Sequence, residues 1–150
     1  MDGIPAGYAV YEADGDKLTW YWKAVDYDRG RQFSAYAVGA DRRKPEAVTV
    51  NVWNYDPAWK VRWYENGEPR GEMTQYTGYD ASIADYVALH SQEFKYKYIG
   101  ADRTEHLFMA VPSSPEADVR VEVEDRFGNR YLWSEKEGYT SCPAAENPND

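Results

Sequence analysis

One cysteine, Cys142, leaves this chain without an internal disulfide, and an unpaired thiol says nothing about the redox compartment. No basic residue lies close to Cys142 in sequence, so nothing there favours a reactive thiolate. Long apolar runs are missing too, which removes any candidate membrane helix. The first twenty residues lack the basic and apolar regions of a secretory leader, so the expectation is a cytoplasmic protein or a piece of something larger. Positive charge is scarce: the net charge of −9 argues against a nucleic-acid backbone or an anionic membrane surface as partner. Glycine-rich phosphate cradles of the Walker or dinucleotide type are absent, as is a nucleophile elbow.

What is abundant is aromatic side chain. Residues 51–65 hold Trp53, Tyr55, Trp59, Trp63 and Tyr64 within one strand-turn-strand unit that breaks at Asp56-Pro57. Proline fixes its own φ and donates nothing to a ladder, so Pro57 belongs to the turn. Such a cluster anchors a core, forms a flat binding surface, or does both. Trp63 shares a face with Val61 and is expected in the core. Trp53, Tyr55 and Trp59 flank the turn, where full burial is harder, and are the candidate contacts with another domain or a ligand. The expectation is that part of their ring surface is exposed.

The remaining pattern is that of short strands. Gly7 to Ala13 and Leu18 to Ala24 flank an Asp14-Gly15-Asp16-Lys17 turn and form a hairpin. Arg31 to Val38, Ala47 to Trp53 and Trp59 to Glu65 follow. Asn66-Gly67 turns the chain into a strand over Glu68 to Tyr76. Over 80–93 the period changes: Ala81, Ile83, Ala84, Val87 and Ala88 fit a short helix with Asp80 as its N-cap. Leu107 to Val111, Asp118 to Glu124 and Tyr131 to Trp133 return to the strand period. Val119, Val121 and Val123 point inward and their charged neighbours outward. Eight or nine strands and one helix indicate a mainly β chain, an antiparallel immunoglobulin-like β-sandwich with one short helix. The expected domain is 1–134, with Val50, Val52, Val61, Trp63, Val119, Val121 and Val123 in its core. An unstructured tail is expected over 135–150, which is rich in small, polar and proline residues.

Five separated stretches, in this order, carry a resemblance: Asp2-Gly-Ile-Pro-Ala-Gly-Tyr, Asn51-Val-Trp-Asn-Tyr-Asp-Pro-Ala-Trp-Lys-Val, Tyr76-Thr-Gly-Tyr-Asp, His106-Leu-Phe and Asp125-Arg-Phe-Gly-Asn. The chain resembles, over residues 2–133, the C-terminal domain of calcineurin-like phosphoesterases of Bacteroidetes. The resemblance implies a parent in which a secretion or lipoprotein signal and a two-metal hydrolase domain come first. It also implies a periplasmic or extracellular location.

The catalytic centre of such a parent needs Asp-x-His, Gly-Asp and Gly-Asn-His motifs to hold two metals about 3.5–4 Å apart. This chain has two histidines, His90 and His106, in neither of those settings, and Gly128-Asn129 is followed by Arg130. No catalytic residue, metal or cofactor is therefore expected here. Asp26 to Gly30 reads as a turn in preference to a calcium loop, since no glutamate closes it. A Ser113, His106, Asp102 triad lacks support. His106 is expected to open a strand and to hydrogen-bond within a loop or face solvent. The leading expectation is a non-catalytic accessory domain whose partner is the catalytic domain of the same chain. The alternative is a carbohydrate-binding module with a glycan partner, and an independent hydrolase ranks last.

Overall fold

Gly15 takes a φ of 59° and closes the first turn, leaving Asp14 paired with Lys17. In the computed structural model, which describes residues 1–144, this turn joins β1 (Gly7–Asp14) to β2 (Lys17–Ala24) as a two-stranded sheet. The chain continues through β3 (Phe33–Tyr36), β4 (Val48–Val52), β5 (Lys60–Glu65), β6 (Glu68–Glu72) and β7 (Thr74–Gly78). The helix α1 (Ala81–His90) comes next, then β8 (Thr104–Ala110), β9 (Val119–Glu124), β10 (Arg130–Ser134) and β11 (Gly138–Cys142). Every strand pair is antiparallel. The structure is mainly β with one helix among the described residues, consistent with the β-sandwich class expected from sequence.

The chain divides into two compact units. The first comprises Met1–Ile4, Phe33–Trp53 and Met73–Ala117, and holds the four-stranded sheet β3-β4-β8-β7 together with α1. Its central strand β4 departs from simple alternation, because all five of its residues are buried. Val50 and Val52 are apolar core with Phe33 and Leu107, while Thr49 and Asn51 are buried as well. Both flanks of β4 are occupied, by β3 and by β8, and Asn51 is covered by a polar cluster described below.

The second unit holds the β1–β2 hairpin and the five-stranded sheet β11-β10-β9-β5-β6. Val121 on β9 lies opposite Trp63 on β5 and Trp133 on β10, and is fully buried. Val119 and Val123 are buried beside it and Arg120 is exposed, as the strand period requires. Glu122 is the exception among the charges. It is buried beneath Arg62, whose guanidinium nitrogen lies 3.2 Å from Glu122 and 2.9 Å from Glu124. The hydrogen bond from Arg62 is the main reason that the Glu124 carboxyl sits below the usual range.

Three sequence expectations need correction. The strand expected over Glu68 to Tyr76 is two strands: β6 pairs with β5 and β7 pairs with β8, in different sheets. Gly71, at a φ of 95°, leaves extended geometry just before the buried Met73, where the chain changes sheet. Trp63 is half-buried and not full core, and lies at a register irregularity between Trp63 and Tyr64 in the β5–β6 pairing. Part of the expected tail is a strand: β11 pairs with β10, placing Tyr139 opposite Trp133 and Thr140 opposite Leu132. Its small and polar residues hid it, because an edge strand exposed on one side needs little apolar patterning. The rest of the expected tail, 145–150, lies outside the described residues.

Truncating Val121 to Ala should cost about 1–3 kcal/mol, as a buried methyl deletion between two tryptophans does. Arg120→Gln should cost under about 0.5 kcal/mol. Urea unfolding of the two variants checks the register, and a costlier loss at Arg120 would contradict it.

Candidate functional site

The aromatic corner is the first candidate. After Trp53 the chain turns through Asn54, a residue type that tolerates the left-handed φ of 52° found there. Asp56 then organises a tight turn: its carboxylate accepts from the Ala58 amide at 2.8 Å, and its carbonyl accepts from the Trp59 amide at 3.0 Å. That turn directs Trp59 inward, where its ring stacks on Tyr131 at 6.3 Å between centroids. Trp53 is 0% exposed and Trp59 7%, so the expected exposed surface is absent from both. Neither offers the platform on which a sugar would stack. Tyr55 alone of the three is half-exposed. Burial first, then the charges of Asp56 and Glu72, push its phenol above the ordinary range.

A second site was not foreseen. Asp80, 1% exposed, caps α1 by accepting from the Ile83 amide at 3.1 Å. The same carboxylate accepts from Ser82 Oγ at 2.8 Å, from Asn51 Nδ2 at 2.8 Å and from the Tyr36 hydroxyl, 2.8 and 2.9 Å from its two oxygens. Burial, and next the Asp80 charge, hold the Tyr36 phenol far above the usual range, so it stays a donor. Asn51 Nδ2 also donates to the carbonyl of Asp2 at 2.9 Å. Gly3, at a φ of 87°, lies so close to Asp80 and Asn51 that a Cβ there would overlap both. With the Asn51 amide nitrogen thus occupied, its Oδ1 faces His106 Nδ1 at 2.7 Å. This assigns the Nδ1 proton to His106 and leaves Nε2 as the side facing Asp2 Oδ2, 3.8 Å away.

Four of the five sequence stretches therefore meet in one place. Asp2, Asn51, Asp80 and His106 each stand in a different stretch, and the first unit brings them together. The fifth stretch builds an analogous centre in the second unit. Asp125, 4% exposed, accepts from the amides of Phe127 at 2.8 Å and Asn129 at 2.9 Å. It also accepts from Asn129 Nδ2 at 2.8 Å and the Tyr131 hydroxyl at 3.0 Å. The family comparison accords with these stretches. A family model described as the C terminal of calcineurin-like phosphoesterase matches residues 1–131.

The chain belongs to that family. No curated protein matches it, and no solved structure does.

In this calcineurin-like phosphoesterase C-terminal domain two of the motif aspartates, Asp80 and Asp125, are saturated. Each accepts four donors and has no open side on which to take a proton or a metal. Among the described residues no group of three or more His, Cys, Asp or Glu side chains is gathered as a metal site would be. The Ser113, His106, Asp102 arrangement does not form: His106 bonds to Asn51, and Asp102 holds the amino group of Met1. His106 lies near the start of β8, as expected, and its hydrogen bond goes to Asn51 of the neighbouring strand and not to a loop. His90 ends α1 against Glu93 at 3.3 Å and the Tyr86 ring. Asp28 closes a plain turn through the Gly30 amide at 2.8 Å, and Cys142 is exposed on β11.

His106 generates a pH dependence. Burial lowers its pKa below 6.5, against the opposing pull of Asp2 and Asp80. The unfolded chain binds the proton more readily, so the stabilising contribution is complete above pH 6.5 and is lost as pH falls through the depressed folded value. The unfolding temperature should therefore fall as the pH drops below 6.5. His106→Gln should flatten that part of the profile, and an unchanged slope in the variant would contradict the assignment.

Proposed function

We propose that this chain is a non-catalytic accessory domain that packs against or positions the catalytic domain of the same calcineurin-like metallophosphoesterase chain. The observation that carries this reading is the clamp on the N-terminal segment. Asn51 holds the Asp2 carbonyl, Gly3 lies against Asp80, and the Ile4 amide bonds back to Asp2 at 3.1 Å. In a C-terminal domain the chain arrives from the catalytic domain through this segment. A lead-in bound to a strand, a helix cap and a histidine restricts the arc open to the preceding domain, whereas a free linker would not. Tyr55, still half-exposed, is the residue of the aromatic corner that retains surface for such a contact.

The saturated aspartates support the non-catalytic part, because a carboxylate with every lone pair engaged is a poor general base or metal ligand. The isolated chain should not hydrolyse an aryl phosphate with added manganese. Activity that survives repurification and disappears in His106→Ala would overturn this. In the full parent chain, Gly3→Ala should lower turnover or the unfolding temperature of the catalytic domain by loosening the clamp. A parent indifferent to that change, in a variant whose C-terminal domain is shown to be loosened, would count against the positioning role.

A further inference from the structure

Cations are scarce in this chain, yet the first unit concentrates several beside one cleft. Arg43, Lys44 and Arg103 line a cavity of about 260 Å³ together with Asp41, Tyr76, Thr77, Gly78 and Tyr79. Arg43 is fully engaged. Its guanidinium meets Asp41 at 2.9 Å, Asp85 at 3.9 Å and the Ala81 carbonyl at 3.5 Å. It serves as wall, neutralising the buried Asp41. Lys44 and Arg103 are different. Lys44 Nζ rests 4.5 Å from the centroid of the Tyr76 ring, and Arg103 reaches the Thr77 carbonyl at 3.5 Å. Among the described residues neither is in a salt bridge, so the cleft lining carries more positive than negative charge.

The floor is shaped for a ligand. The Tyr76 ring packs over Gly78, where a Cβ would come within 2.7 Å of it. Burial and the Asp41 charge push the Tyr76 phenol up to about 12, so its hydroxyl remains protonated through the physiological range. Tyr79 contributes a partly exposed ring at the rim. Cationic side chains with phenolic rings are the chemistry of oxyanion recognition: a guanidinium fork and an ammonium bind the charged oxygens and the ring faces take the ligand body. The volume lies near the lower end of small-molecule sites, which suits a compact ligand.

We propose that this cleft binds a small phosphate monoester, its phosphoryl group held by Lys44 and Arg103 and its organic part against Tyr76 and Tyr79. A dianion matches two uncancelled cations better than a carboxylate does. The site is separate from the polar clamp and does not depend on the positioning role, since it is tested on this chain alone.

The test is calorimetric titration of the 150-residue chain with phenyl phosphate, inorganic phosphate and benzoate at low salt. Phenyl phosphate should bind saturably at one site, with affinity falling as salt rises. Binding should drop at least about tenfold in the Lys44→Gln, Arg103→Gln double variant, the least expected when charge-assisted contacts are removed. The single variant Arg103→Gln changes an exposed side chain and should show a partial loss, and Arg120→Gln in the other unit should show none. Absence of saturation with either phosphate, undiminished binding in the double variant, or benzoate binding as tightly as phenyl phosphate would each overturn the proposal.

Discussion

Removing a carboxylate from water without a cation beside it is tolerated only where hydrogen-bond donors replace the hydration shell. Asp80 meets that condition with four neutral donors, two distant, a tyrosine of β3 and an asparagine of β4, and two local, a serine and an amide of α1. The constraint runs in both directions. The donors satisfy the charge, and the charge fixes where each donor must be. Helix α1 begins where Asp80 can cap it, and β4 carries a buried polar residue at Asn51 because Asp80 needs its amide. That amide then has one proton left for the Asp2 carbonyl and an oxygen left for His106. Removing one member would leave several buried groups unsatisfied, each costing about 1–3 kcal/mol.

The same solution recurs at Asp125, where four donors from one tight turn saturate the carboxylate. Local donors suffice there, so the Asp125 centre fixes a hairpin. At Asp80 two long-range donors and two local ones, with the further bonds of Asn51, tie together a lead-in segment, a helix and three strands. The difference bears on function. A motif residue that holds its neighbours in place need not touch a substrate, and Asp2, Asn51, Asp80, His106 and Asp125 in the separated stretches serve as anchors for the backbone. Chemistry with a ligand is better sought where charge is not cancelled, as in the cleft beside Tyr76.

Much of the fold was legible in the sequence because its signals are local. Asp14-Gly15 and Asn66-Gly67 gave turns, Asp80 gave a helix start, and Val119, Val121 and Val123 gave a register. What was not legible was non-local. Nothing in Glu68 to Tyr76 marks the change of sheet at Met73 except Gly71. Nothing in Gly138 to Cys142 has the apolar alternation of a buried strand. Burial of Trp59 depended on a turn geometry that the Asp56 side chain sets, and crowding around Pro57 suggested the opposite. The polar clamp was hidden for a related reason. Asn51 and Asp80 are 29 positions apart and Asn51 and His106 are 55 apart, so four motifs that look independent in sequence meet only in the folded chain.

The most direct test of the central claim is a double-mutant cycle on Asp80 and Asn51 in the intact chain. Asp80→Ala, Asn51→Ala and the double variant would be compared by denaturant unfolding. If the two residues belong to one interlocked centre, the double variant should lose clearly less stability than the sum of the singles, with a coupling of about 1 kcal/mol or more. Losses that add to within about 0.5 kcal/mol would show two independent side chains and contradict the account.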